Sequence, residues 1–217
     1  MAAATSPYDP GSQEATYWQA RQRLASATRA LNEKLVSTDI DPELAAALAE
    51  KIEDLTAELS QAQQVTGLVD MAKRGQRGTI DDVMGELVSV GGRSHPCSPE
   101  LLWQEEPNRI IGTVTFGQAF EGPPGHVHGG WVAGVLDHLM GMTHVCTGHP
   151  GMTGGLTVRY LKPTPLNQLI EVSAEATELD DKRTEVKAEM RCGETTTATA
   201  EAIFVRVDRE KFGFETP

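Results

Sequence analysis

The chain has 217 residues, 39% hydrophobic and 23% charged, which is too apolar for a disordered chain and enough for one well-buried domain with an appendage. A formal net charge of −12, with no Lys/Arg-rich run interleaved with aromatics, opposes a phosphate backbone, so no nucleic acid partner is expected. No stretch reaches the roughly 18 uninterrupted apolar residues of a membrane span; MAAATSPYDPGSQ lacks the basic and apolar regions of a secretory signal, and the widely spaced Cys97, Cys146 and Cys192 read as reduced thiols, so a cytoplasmic location is expected.

From Ala15 to Leu35, the residues Tyr17, Ala20, Leu24, Ala27, Leu31 and Leu35 recur at steps of three and four, the period of one helical face. Asp41 then offers an N-cap and Pro42 a first helical position, ahead of Leu44, Leu48, Ile52, Leu55 and Leu59 at the same spacing. Two amphipathic helices follow from this, either paired as an antiparallel hairpin along a leucine seam or laid with that seam on the main domain. The polar, Gly-containing stretch from Gln61 to Gly78 reads as a linker with a short helix around Val65 to Lys73, and GTIDDVMGELV as another short helix. The division expected is an N-terminal helical extension and linker over 1–80 and a main domain over 81–217.

In the main domain ELLWQEEPNRIIGTVTFG reads as strand. HVHGGWVAGVLDHLMGM, from His126 to Met142, reads as a helix apolar almost all round. After it LTVRYLK, LIEVSAEATEL, RTEVKAEMRC and TTTATAEAIFVRV alternate apolar and polar residues, as antiparallel strands with one dry face do. The expected core is one strand, one apolar helix and a meander of about four strands. A curved antiparallel sheet wrapped around the helix accounts for the helix's lack of a polar face.

Two features of that helix bear on chemistry. Gly129 and Gly130 stand at its start, where unpaired N–H groups and the positive end of the helix dipole make an anion or oxyanion site, or where the glycines simply permit a tight turn. Asp137 lies mid-helix among the small residues Ala133, Gly134 and Gly141. A carboxylate there is either satisfied by a neighbour, a Thr or His138, or held ready as a base or nucleophile facing a cavity. Eight residues separate Gly129 from Asp137, about 12 Å at a rise of 1.5 Å per residue, so one helix cannot bring both to a single carbonyl. A joint site requires two chains facing each other across a two-fold axis. His126 and His128 have a metal-ligand spacing, but no third ligand on an identifiable strand accompanies them, and no metal or cofactor is expected.

EGPPGHVHGGWVAGVLDH followed by MTGGLTVRYLKPTPL resembles the hotdog-fold acyl-CoA thioesterases of the PaaI type, in the 4-hydroxybenzoyl-CoA thioesterase superfamily, and within them the branch of thioesterase superfamily members four and five. The resemblance runs from about Arg93 to Val207 and includes the EGPPG, the HGG and an Asp at the family's interval after its His, with a Thr at the family's interval after the Asp. It implies an α+β hotdog fold and hydrolysis of an acyl-CoA to a carboxylic acid and CoA by a homodimer or a tetramer. Asp137 is implied as the catalytic carboxylate, the Gly129 amide as the group that polarises the carbonyl, and Thr153 as the residue that positions water or Asp137. His128 and Gly130 are implied to shape the substrate-binding turn, and Arg159 and Lys162 to be candidates for CoA phosphate contacts. Many relatives carry Asn or Gln where this chain has Gly122. A non-catalytic alternative keeps the acyl-CoA pocket while the N-terminal helices dock a partner.

Overall fold

A computed structural model describes residues 12–73 and 77–208. Residues 1–11 of the leader, 74–76 of the expected linker and 209–217 lie outside the described residues. The helices are α1 (Gln13–Ser37), α2 (Pro42–Leu59), α3 (Gly67–Lys73), α4 (Ile80–Leu87) and α5 (Gly129–Val145), and the strands are β1 (Glu100–Glu106), β2 (Arg109–Thr115), β3 (Gly151–Tyr160), β4 (Leu169–Glu178), β5 (Arg183–Cys192) and β6 (Thr195–Arg206). No helix among the described residues is long and apolar enough to cross a membrane.

The six strands form one antiparallel sheet in the order β1-β2-β4-β5-β6-β3. Alternation decides which face is dry: Ile170, Val172, Ala174 and Ala176 of β4 and Val186, Ala188 and Met190 of β5 are buried, as are Ala198, Ala200, Ala202 and Phe204 of β6. Six of these are alanines, and their small side chains let α5 lie close against the concave face. The helix contributes Val132, Val135, Leu136, Leu139 and Met140 to the shared core. This is the hotdog architecture that the sequence resemblance implies.

The structure corrects the sequence reading in two places. Two strands precede α5, because Pro107-Asn108 turns the expected single strand into the β1-β2 hairpin, with Asn108 at a φ of 56°. The N-terminal helices form as expected, but their leucine seam does not pack. No residue of α2 is buried. On α1 the buried residues are Ala15, Trp18 and Ala25, while Leu24, Leu31 and Leu35 are exposed. Polar anchors take the place of leucines. Trp18 Nε1 donates to the Arg77 carbonyl at 3.0 Å, Gln22 donates to the buried Glu86 carboxylate at 3.0 Å, and Arg29 donates to the His95 carbonyl at 3.0 Å. Ala15 and Trp18 share a small core with Met71 of α3 and Val83 of α4, so α4, on the far side of the expected boundary at residue 80, packs with the N-terminal helices.

The edge strand β3 carries an irregularity. Thr153 lies opposite Phe204 and Gly155 opposite Ile203, which leaves Gly154 as an extra residue in the ladder with β6.

Candidate active site

The start of α5 is built by a tight loop. A 3-10 turn at Gln118–Phe120 leads into EGPPG, and the loop closes where His128 N–H donates to the Phe120 carbonyl at 2.9 Å. Gly122 N–H donates to the His126 carbonyl at 2.9 Å, and a Cβ at Gly122 would stand 2.6 Å from His128 Cα. That backbone approach leaves no room for a side chain at position 122. His128 is the N-cap of α5, its Nδ1 accepting from Gly130 N–H at 3.0 Å. The two glycine amides therefore differ. Gly130 N–H is engaged by the cap, whereas Gly129 N–H has no hydrogen-bond partner among the described residues.

An open groove of about 540 Å³ lies at this helix start, lined among others by His128, Gly129, Tyr160 and Lys162. The Tyr160 hydroxyl donates to the Gly129 carbonyl at 3.0 Å. Tyr160 was missed by the sequence reading, although its place beside Leu156 and Val158 in the alternation of β3 was the available signal. Lys162 lines the groove. Arg159 does not, since it pairs with Thr199 and projects from the outer face of the sheet. The two imidazoles suggested by the HVH spacing are engaged separately, His126 Nδ1 with the Pro124 carbonyl at 2.9 Å and His128 Nδ1 with Gly130 N–H.

Two turns along α5, the half-buried Asp137 accepts a hydrogen bond from Thr153 Oγ1 at 3.0 Å. Thr153 reaches the carboxylate from β3, across the open edge of the sheet, and both groups remain accessible. One Asp137 oxygen is thus oriented and the other has no hydrogen bond within the described residues. Next to it, the His138 ring points inward. Its Nε2 is buried without a partner among the described residues, against Gly91, and its ring meets Trp103 edge-on at 5.9 Å. Burial lowers its pKa to about 4 against the opposing charge of Asp137, so His138 is a neutral packing residue at neutral pH. The structure brings together His128, Gly129, Gly130 and Lys162 at one end of α5 and Asp137 with Thr153 further along it.

The hotdog sheet around one apolar helix agrees with what the comparisons find. The sequence profile of the thioesterase superfamily matches residues 124–199, which contain both Gly129 and Asp137. This stretch is similar to the thioesterase superfamily. The chain's curated relatives include the acyl-coenzyme A thioesterase THEM4 of Mus musculus, 26% identical over 51% of this chain and 49% of the relative, and THEM4 of Bos taurus, 29% identical over 51% and 46%. The chain thus spans about half the length of the curated relatives it matches. A solved structure of a thioesterase superfamily protein superposes with a TM-score of 0.72 at 26% identity, over 85% of this chain and 94% of that one. With 85% of the chain covered, the likeness to that superfamily protein extends beyond the sheet and α5 into the N-terminal region.

Proposed function

We propose that this chain hydrolyses an acyl-CoA thioester to a carboxylic acid and CoA, at a site completed by a second copy of itself. The observation that carries this reading is the separation on α5 of an unspent amide, Gly129 N–H, from an oriented carboxylate, Asp137. At about 12 Å along the helix the two cannot act on the same carbonyl within one chain. A two-fold axis beside α5 and β3 sets the amide of one protomer against the carboxylate of its partner. Support for such a contact comes from β3, an edge strand that exposes Met152, Leu156 and Tyr160. Both a homodimer and a tetramer built from two such dimers satisfy this geometry.

In this reading Gly129 N–H, reinforced by the helix dipole, stabilises the oxyanion as the thioester carbonyl is attacked. Asp137, held by Thr153, either takes the proton of an attacking water or attacks the carbonyl carbon itself. Collapse of the tetrahedral intermediate breaks the C–S bond, and the CoA thiolate leaves and takes up a proton. In the hydrolysis of an acyl-enzyme the water oxygen enters the acid in a second step. Lys162 in the groove suits a CoA phosphate, whereas Arg159 reaches one only from the outer face of the sheet. Acyl-CoA as the substrate class rests on the names of the curated relatives.

The test is release of free thiol from a panel of short, long and aromatic acyl-CoAs by the wild type and Asp137→Ala. Turnover by the wild type that is lost in a folded, dimeric Asp137→Ala supports the assignment; turnover unchanged in that variant sinks it. The exposed seam of α2, Leu44, Ile52, Leu55 and Leu59, favours a second reading, in which the chain binds acyl-CoA without turnover and α2 docks a partner. Binding of the panel with no thiol release is the outcome that reading requires.

A further inference from the structure

The N-terminal helix α1 lies outside the residues matched by the superfamily profile, yet its C-terminal half touches the loop that builds the start of α5. The contact is specific. Glu33 Oε1 accepts from Gln118 N–H at 2.7 Å and Glu33 Oε2 accepts from Ala119 N–H at 3.0 Å, so one carboxylate holds the first two amides of the 3-10 turn. No side chain of the turn itself makes that cap. The fit is close enough that a Cβ at Gly117 would collide with the Glu33 carboxylate, although Gly117 has φ −84° and ψ −169°, which any residue adopts. An alanine at 117 would therefore displace the Glu33 carboxylate without straining the local backbone.

From the turn the linkage to the site is short. The turn ends at Phe120, whose carbonyl accepts from His128 N–H, and His128 is the residue bonded covalently to Gly129. The Phe120 ring also packs edge-on against Trp131 in the first turn of α5, with centroids 4.9 Å apart. Both the backbone and the side chain of Phe120 thus bear on the helix start. A charged acceptor on two backbone amides is among the stronger hydrogen-bonding arrangements a surface residue makes.

We propose that Glu33 is a positioning residue: by clamping the amides of Gln118 and Ala119, it sets through Phe120 and His128 the place of the Gly129 amide on which the proposed thioester hydrolysis depends. This inference rests on the thioesterase reading for its kinetic consequence, but the placement of the amide can be measured without turnover. The N-terminal helices, in this view, are part of the catalytic scaffold and α1 is their working element.

The experiment compares wild type, Glu33→Gln, Gly117→Ala and the double variant Gly117→Ala/Glu33→Gln, with Ser12→Ala as a variant that weakens the far end of α1 by removing its N-cap. Steady-state rates are measured on whichever acyl-CoA of the panel the wild type hydrolyses fastest, and the Gly129 amide is followed by 1H–15N NMR. A misplaced donor acts on the transition state more than on ground-state binding, so Glu33→Gln is expected to lower kcat about 10-fold with KM within about twofold. Gly117→Ala is expected to do the same, the double variant to be no worse than either single one, and Ser12→Ala to leave kcat at the wild-type value. The Gly129 amide resonance should move in both Glu33→Gln and Gly117→Ala and stay put in Ser12→Ala. Unchanged kcat in folded Glu33→Gln overturns the proposal, as does a fall in kcat with the Gly129 resonance unmoved. If no acyl-CoA is hydrolysed even by the wild type, the thioesterase reading fails, and movement or constancy of the Gly129 resonance then supports or overturns the clamp by itself.

Discussion

In β4, β5 and β6 the side chains that meet α5 are the apolar members of an alternating pattern, whereas α1 meets the rest of the chain through Trp18, Gln22, Arg29 and Glu33 and turns Leu24, Leu31 and Leu35 outward. The two regions use different physics. Sheet and helix are held by area removed from water, which tolerates many residues of similar volume. The α1 contact adds to a small apolar core around Trp18 a set of directional bonds to particular carbonyls, amides and one buried carboxylate, which tolerate few substitutions. Apolar periodicity is therefore a sound guide to contact in the first region and a misleading one in the second.

The largest expected effect tests this contrast directly. Trp18→Ala removes a fully buried ring and its bond to the Arg77 carbonyl, and should cost about 3–5 kcal/mol in urea denaturation. A cost below about 1 kcal/mol would mean that α1 is not anchored as described. Leu136→Ala, in the α5 core, should cost about 2–5 kcal/mol by the same measurement, and a single transition, coincident by different probes in both variants, would make one cooperative unit of the two regions.

Acid separates the regions further. The pKa of His138 is lowered to about 4 in the folded chain against about 6.5 when unfolded, so below about pH 6.5 the unfolded chain binds a proton that the folded one refuses. Stability from this residue is complete above about pH 6.5 and is lost as the pH falls towards 4, by ~3 kcal/mol. Melting temperatures across that window should fall less steeply in His138→Leu than in wild type; parallel curves would remove His138 as a cause. The smallest effect belongs to the outward leucines. Leu24→Ala and Leu55→Ala should each change stability by less than about 0.5 kcal/mol, and a large loss at Leu55 accompanied by a change in oligomeric state would show that a second chain covers α2.

Much of the sheet could be read from the sequence because period-two alternation is clear within each of 170–176, 184–190 and 198–204, and α5 because its apolar run is too long for a strand and opens on two glycines. The intervals of the family resemblance single out Asp137, Gly129 and Thr153, and the structure joins two of them through the Thr153–Asp137 hydrogen bond. Other parts were closed to that reading for physical reasons. The β1-β2 hairpin depended on a left-handed Asn108, a single residue in a strand-like run. Glu33 gave no local sign of its role, since its partners are backbone amides some 85 residues away that any sequence supplies. Arg159 and Lys162, three residues apart, looked alike as charges until the register of β3 put the former on the outer face.

The extra residue at Gly154 has a consequence for how β3 serves both ends of α5. Thr153 and Tyr160 are separated by an odd interval, which in an uninterrupted strand points two side chains to opposite sides. Here both point the same way, Thr153 onto Asp137 and Tyr160 onto Gly129, because the insertion at Gly154 shifts the parity of the strand between them. The strand is in effect two half-strands read in different frames, spliced at a residue without a side chain. Deleting that single glycine would restore one frame throughout and oblige the strand to give up either the hydroxyl that orients the carboxylate or the tyrosine that covers the helix start.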